Sequence, residues 1–220
     1  MKNIHENIII GVNLSLIGGF LDAYTYILKD GVFANAQTGN LVLLFIAFVN
    51  GAFTDILTFS IPIIMFASGI LISELFKNLF KDHKNNLRVK LTLLIEVIII
   101  LIVAIFGKNL PHATVNSIIS FLAAIQVNSF DKVQGVPIAT TMITGNLKSS
   151  MININMYHLT KDKTYKTKFI TYIIIILFFG IGVTIGTILV KYFGDYAILT
   201  CIIFIFISYL VIKNEEKFNY

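Results

Sequence analysis

The chain has no tryptophan, a single cysteine, three prolines and few charges: of its 220 residues, 13% are Asp, Glu, Lys or Arg. Each scarcity excludes something. The lone Cys201 cannot form a disulfide within the chain, and inside an apolar run it reads as a small packed hydrophobe. A soluble domain carries about 25% charged residues, so too little charge is present to solvate a globular surface. Metal-ligand spacing is missing, because His5, His83, His112 and His158 are scattered over termini and segment edges. No Walker or Rossmann glycine pattern occurs, and no serine or histidine stands in the context of an activated nucleophile. The chain therefore reads as a non-enzyme without a cofactor.

What is present is apolar. Hydrophobic residues make up 56% of the chain and the mean hydropathy is +0.84, which assigns it to the lipid bilayer. A spanning helix needs about 20 apolar residues, so the length allows about six or seven crossings and no soluble domain. The formal charge is +5, but the bases cluster in short loops between apolar runs. That is the pattern of cytoplasmic loops and not of nucleic-acid binding. Lys2 ahead of the first run resembles a signal peptide; without a small-x-small cleavage site, an uncleaved first span is expected.

Periodicity and run length predict full spans at residues 8–28, 56–75, 91–106, 113–130, 169–190 and 196–212. The first places Gly11, Ser15, Gly18, Asp22 and Tyr26 on one face, which must be buried. Pro62 predicts a kink in the second span, and Gly69-x-x-x-Ser73 and Gly182-x-x-x-Gly186 predict close helix packing. These faces can join helices of one chain or of two copies, so a homo-oligomer is left open.

Two shorter segments break the pattern. GVFANAQTGNL (residues 31–41) and GVPIATTMITGNL (residues 135–147) both end in Thr-Gly-Asn-Leu, at an offset of 106 positions. Each leads into a helix too short to cross, of about ten residues from Asn40 and about thirteen from Asn146. At the same offset Asp22 falls on Asn128, and Gly69 matches Gly182 at 113. The halves are thus read as repeats, residues 1–110 and 111–220.

Charge placement orients them. One basic loop holds Lys77, Lys81, Lys84, Arg88 and Lys90 against Asp82; the other holds Lys161, Lys163, Lys166 and Lys168 against Asp162. They share a side only if the short segments do not cross. The expected fold is an all-α integral membrane protein with about six transmembrane helices in two inverted three-helix repeats. Each repeat carries a re-entrant loop and half-helix, and both termini are cytoplasmic, at the inner (plasma) membrane.

The phrases GGFLDAYTYILKDGVFANAQTGNLVLL and IQVNSFDKVQGVPIATTMITGNLKS resemble the two signature segments of the YoaK-like family of bacterial membrane proteins. Lys148 stands where the resemblance leads one to expect arginine. The resemblance covers essentially the whole chain and implies a multi-spanning membrane protein; it implies no substrate.

Candidate functional groups follow from the breaks. A half-helix N-terminus presents free N–H groups and a positive dipole end, glycine allows the tight turn, and Thr or Asn can cap or line. The expected substrate-binding set is Asp22, Gln37, Thr38, Gly39, Asn40, Asn128, Thr144, Gly145, Asn146 and Lys148. Asp22 is an ionisable group inside a span, functional by default unless it merely pairs with Lys29. Lys148 can meet an anion, pair with Asp22 or snorkel; Gln126 and Thr141 add polar groups to substrate or freed backbone. Glu96 is expected to snorkel toward Arg88 and Lys90, with a proton relay as the alternative. The leading expectation is a secondary transporter of a small polar or anionic metabolite, with Asp22 as a route to proton coupling. The alternative is a passive small-solute or ion channel with two opposed re-entrant loops.

Overall fold

The computed structural model describes residues 6–79 and 87–218. Lys2, His5, Lys81, Asp82, His83 and Lys84 lie outside the described residues. The fold is helical: α1 (Ile8–Leu28), α2 (Gln37–Val49), α3 (Phe53–Leu79), α4 (Leu87–Phe106), α5 (His112–Ser129), α6 (Ile143–Thr160), α7 (Lys163–Phe193) and α8 (Thr200–Phe218). A 3₁₀ turn, Gly194–Leu199, joins the last two. Between α5 and α6 lies a small antiparallel hairpin that the hydropathy pattern did not predict, β1 (Lys132–Val133) and β2 (Val136–Pro137).

Among the described residues, four helical stretches are long and apolar enough to cross a membrane: α1, α3, α4 and the run Lys163–Lys217 that α7 and α8 share. α5 is diluted by polar residues, but Asn116, Ser120, Gln126 and Ser129 are all buried inside the protein. Lipid-facing positions are conversely apolar, as at Phe45, Ile64, Leu101 and Phe206. This is the arrangement expected where hydrocarbon replaces water as solvent.

α1 has the limits its pattern predicts, whereas α3 and α7 extend well past theirs. Hydropathy marks only the apolar part, and the polar ends, with Glu74 and Lys77 on α3 and Lys163 to Lys168 on α7, are adequate helix formers. The short helices are longer too: α2 has 13 residues and α6 has 18. At about 1.5 Å per residue α2 still falls short of a core roughly 30 Å thick.

Packing follows a rule. α1 lies on α7 and α5 on α3; α2 lies along α3 and α6 along α7; α8 flanks α1, α4 flanks α5, and α4 meets α8. Exchanging the first four helices for the last four reproduces this set of contacts. The small residues set the separations. A Cβ on Gly182 would come within 2.2 Å of the Leu16 carbonyl, and one on Gly69 within 2.7 Å of the Phe121 carbonyl. Gly186 packs on Phe20, while Ser73 Oγ lies 3.4 Å from Ser129 Oγ. Both small-residue faces therefore close contacts within the chain.

Polar contacts tie the two ends of the bundle. At one end Asn7 donates to Glu215, Lys90 pairs with Glu216, Gln134 N–H donates to the Glu6 carbonyl, and Thr171 donates to Gln134. The start of α1, the last turns of α8 and the starts of α4 and α7 thus lie together. At the other, Lys29 Nζ sits 2.6 Å from Asp195 and donates to the Gly107 carbonyl, Asn116 donates to the Lys29 carbonyl, and His112 meets Asp30.

Two pairings anticipated from sequence are replaced. Lys29 is held by Asp195, so it is not the partner of Asp22. Glu96 does not snorkel: it is 1% exposed, and neither carboxylate oxygen has a hydrogen-bond partner among the described residues. Its position on α4 turns it into the core with Leu93 and Ile100, three and four residues away, while Lys90 reaches α8.

Candidate functional site

Each break is built by a turn and then clamped by an asparagine. α1 ends where Lys29 N–H returns to the Thr25 carbonyl and Gly31 N–H to the Tyr26 carbonyl, with Asp30 and Gly31 at positive φ. The chain then runs irregularly to Gln37. Asn40, fully buried, reaches back over this segment: Nδ2 donates to the Phe33 carbonyl at 2.7 Å, and Oδ1 accepts from Phe33 N–H at 2.9 Å. In the second break the hairpin turns at Gln134 and Gly135, and Asn146 Nδ2 donates to the Ala139 carbonyl at 2.7 Å. The asparagines brace backbone that no helix satisfies.

The two helix starts so produced open onto one cavity of about 800 Å³. α1 contributes Asp22, Ala23, Tyr26 and Ile27; the first break contributes Phe33 and Asn35 to Thr38; the second contributes Thr141 to Gly145. The remaining wall is Ile63, Phe66 and Ala67 of α3, next to Pro62, and Phe179, Val183 and Thr187 of α7. Most of it is apolar, with a few polar groups from the breaks, the usual composition of a small-molecule pocket. Among the lining residues there is no lysine, arginine or histidine.

Asp22 is 5% exposed and stands where α1 meets the first break. Its Oδ1 accepts from Asn35 N–H at 2.7 Å and from Asn35 Nδ2 at 3.3 Å, and Asn35 Nδ2 also donates to the Gly18 carbonyl. Ala36, the residue before α2, offers no side-chain cap. A carboxylate from α1 therefore faces the irregular backbone ahead of α2, the favourable sign for a helix start.

Of the residues singled out by sequence, Asp22, Gln37, Thr38, Thr141, Thr144 and Gly145 line the cavity. Gly39, Asn40 and Asn146 lie behind them, the asparagines engaged with the loops and Gly39 against the Phe33 ring. Asn128 is elsewhere, at the chain-end face of the bundle, donating to Glu74 Oε1 at 2.7 Å and accepting from Lys77. Lys148 is exposed on α6, past the turn that faces the cavity. Gln126 is buried in α5 and outside the lining.

Phe66, Phe179 and Asn35 were not anticipated. The offsets found them in principle: Phe66 and Phe179 are 113 positions apart, like Gly69 and Gly182, and Asn35 and Thr141 are 106 apart, like the two asparagine clamps. Aromatic residues in an apolar run carry no local sign of facing a cavity.

A family model described as "Protein of unknown function (DUF1275)" matches residues 10–211, and the chain belongs to that family. No curated protein and no solved structure matches the chain.

Proposed function

We propose that this DUF1275 member is a secondary transporter of a small polar or anionic metabolite, of the YoaK-like kind, and not an enzyme. The observation that carries the reading is the convergence of two half-helix starts, from the two halves of the chain, on one cavity. Broken helices whose ends face a shared site are the usual construction of transporter binding sites. The exchange-related packing of the helices supports two repeats, 1–110 and 111–220. Counting α5, α7 and α8 as separate crossings makes six, three in each half, with opposite orientation. The shared end of both termini and the starts of α4 and α7 supports placing that end, with its lysines, in the cytoplasm of the cell that carries the protein in its inner membrane.

In this reading Asp22 is the group through which a proton gradient acts, because it alone among the lining residues is an acid. The test is uptake into proteoliposomes. Accumulation of a solute above its outside concentration, driven by an imposed pH gradient and abolished in Asp22→Asn, supports coupled transport. Downhill flux alone, indifferent to the gradient, supports the passive channel in its place.

A further inference from the structure

The two breaks match in sequence but differ in what they leave free. At the first, Gln37 N–H is taken by the Asn35 carbonyl and Gly39 N–H by the Ala36 carbonyl, so that of these donors only Thr38 N–H lacks a backbone acceptor among the described residues, while Asp22 holds Asn35; the Asn40 and Asn146 N–H groups are satisfied alike, by the Ala36 and Met142 carbonyls. The Phe33 ring covers the turn so closely that a Cβ on Gly39 would lie 2.9 Å from it. At the second, the N–H groups of Ile143, Thr144 and Gly145 have no backbone acceptor among the described residues, and Met142 supplies no side-chain cap. A Cβ on Gly145 would have nothing within 4 Å. Ala139 stands where the first break has Phe33, 106 positions earlier.

An independent feature lies beside these donors. Thr141 lines the cavity, is 4% exposed, and its hydroxyl has no hydrogen-bond partner among the described residues. Its methyl is seated against Gly18 of α1, where a Cβ would come within 2.3 Å of it. A buried hydroxyl is costly to leave unpaired. Here it borders the open start of an 18-residue helix, whose dipole favours negative charge.

We propose that the second break is the head-group site, and that it takes the carboxylate of a monoanionic organic acid with an apolar body. The carboxylate oxygens accept from the free N–H groups at the start of α6 and from Thr141 Oγ1. The body lies against Phe66, Phe179 and Val183. A doubly charged phosphate ester is disfavoured, because no basic side chain lines the cavity and Asp22 does. The proposal rests on the transport reading, in that it places the substrate in the same cavity.

Because the chain has no tryptophan, Ile63→Trp on α3 puts one fluorophore in the cavity wall. Benzoate, benzamide and benzylamine are titrated into the purified full chain in detergent, with melting curves recorded in parallel. The expected result is a saturable emission change with benzoate, with the amide and amine at least about tenfold weaker. Thr141→Val in this background weakens benzoate about tenfold, the loss of one hydrogen bond to a charged group, and Thr141→Ser restores it. Tighter binding of the amide or the amine, or equal benzoate binding by Thr141→Val and Thr141→Ser, overturns the head-group assignment and leaves the cavity standing as a site. Silence from all three probes on protein that melts cooperatively overturns both.

Discussion

Asn40 and Asn146, 106 positions apart, make the same hydrogen bond: each donates Nδ2 at 2.7 Å to the carbonyl seven residues before it, Phe33 and Ala139. Asn40 adds two more, from Phe33 N–H to Oδ1 and from Nδ2 to Gln37 Oε1. Through the pair, irregular backbone in both breaks is satisfied by side chains.

The inequality of the two clamps is measurable. Replacing either asparagine by alanine removes a partner from half-buried backbone, which costs roughly 1 kcal/mol for each group left unpaired. Asn40→Ala is expected to lower the melting temperature more than Asn146→Ala, since it frees both polar groups of Phe33. Equal losses in thermal unfolding would show that the extra bonds of Asn40 contribute nothing.

Helix separation gives a second test. Gly182→Ala and Gly69→Ala drive a methyl into the backbone of α1 and α5, and each is expected to destabilise by roughly 1–3 kcal/mol. Gly180→Ala on the same helix as Gly182 meets nothing within 4 Å, and its melting curve should coincide with the parent or lie above it.

Buried Lys29 pairs with the half-buried Asp195, and Tyr24 Oη donates to the same carboxylate, at the end of the bundle opposite Glu6 and Glu216. Lys29→Met alone leaves that partly exposed carboxylate to Tyr24 and solvent, at a cost of roughly 1–3 kcal/mol. The double change Lys29→Met with Asp195→Leu should recover most of the loss. A double variant as unstable as the single would mean that the lysine acts through its bond to Gly107, not through the ion pair.

Glu96 is buried without a partner, an arrangement with no structural benefit on the described contacts. Glu96→Met keeps the length and removes the polar group, and is expected to raise the melting temperature, by roughly 1–3 kcal/mol in stability. If melting rises while uptake is lost, the carboxyl belongs to the transport cycle as a proton site.

One pH effect lies outside the spans. Asp162 caps α7, and the hydrogen bond its carboxylate accepts from Thr164 N–H at 2.8 Å holds it below the ordinary aspartate range. A depressed value means that the contribution is present above the unfolded-state value of about 3.9 and is lost as pH falls through the lower folded one. Asp162→Ala should therefore melt earlier than the parent at pH 7, and the gap should close at acid pH. A gap that is constant with pH would assign the difference to helix propensity alone.

Hydropathy and charge spacing were sufficient for the location of the long helices and of the two breaks. Boundaries failed where polar residues continue a helix, as in α6, whose 18 residues exceed the thirteen its pattern allows. Side-chain partners failed for a different reason. Glu96 lies six residues from Lys90 on one helix, but rotation by about 100° per residue turns the two to different neighbours, and sequence distance does not carry that direction.

By itself the sequence determined that this chain is an apolar helical protein in which a Thr-Gly-Asn step twice opens a helix after a break, because run length, loop charge and repetition are one-dimensional properties. Only the tertiary structure decided which atoms face the cavity. Asn40 and Asn146 turn away into the backbone, Thr141 is left with a free hydroxyl, and Phe33 covers one tip while Ala139 uncovers the other. The Phe33 and Ala139 difference is written in the breaks, but which backbone a side chain covers and which hydroxyl goes unpaired are not, because that direction is set by contacts between helices distant in the chain.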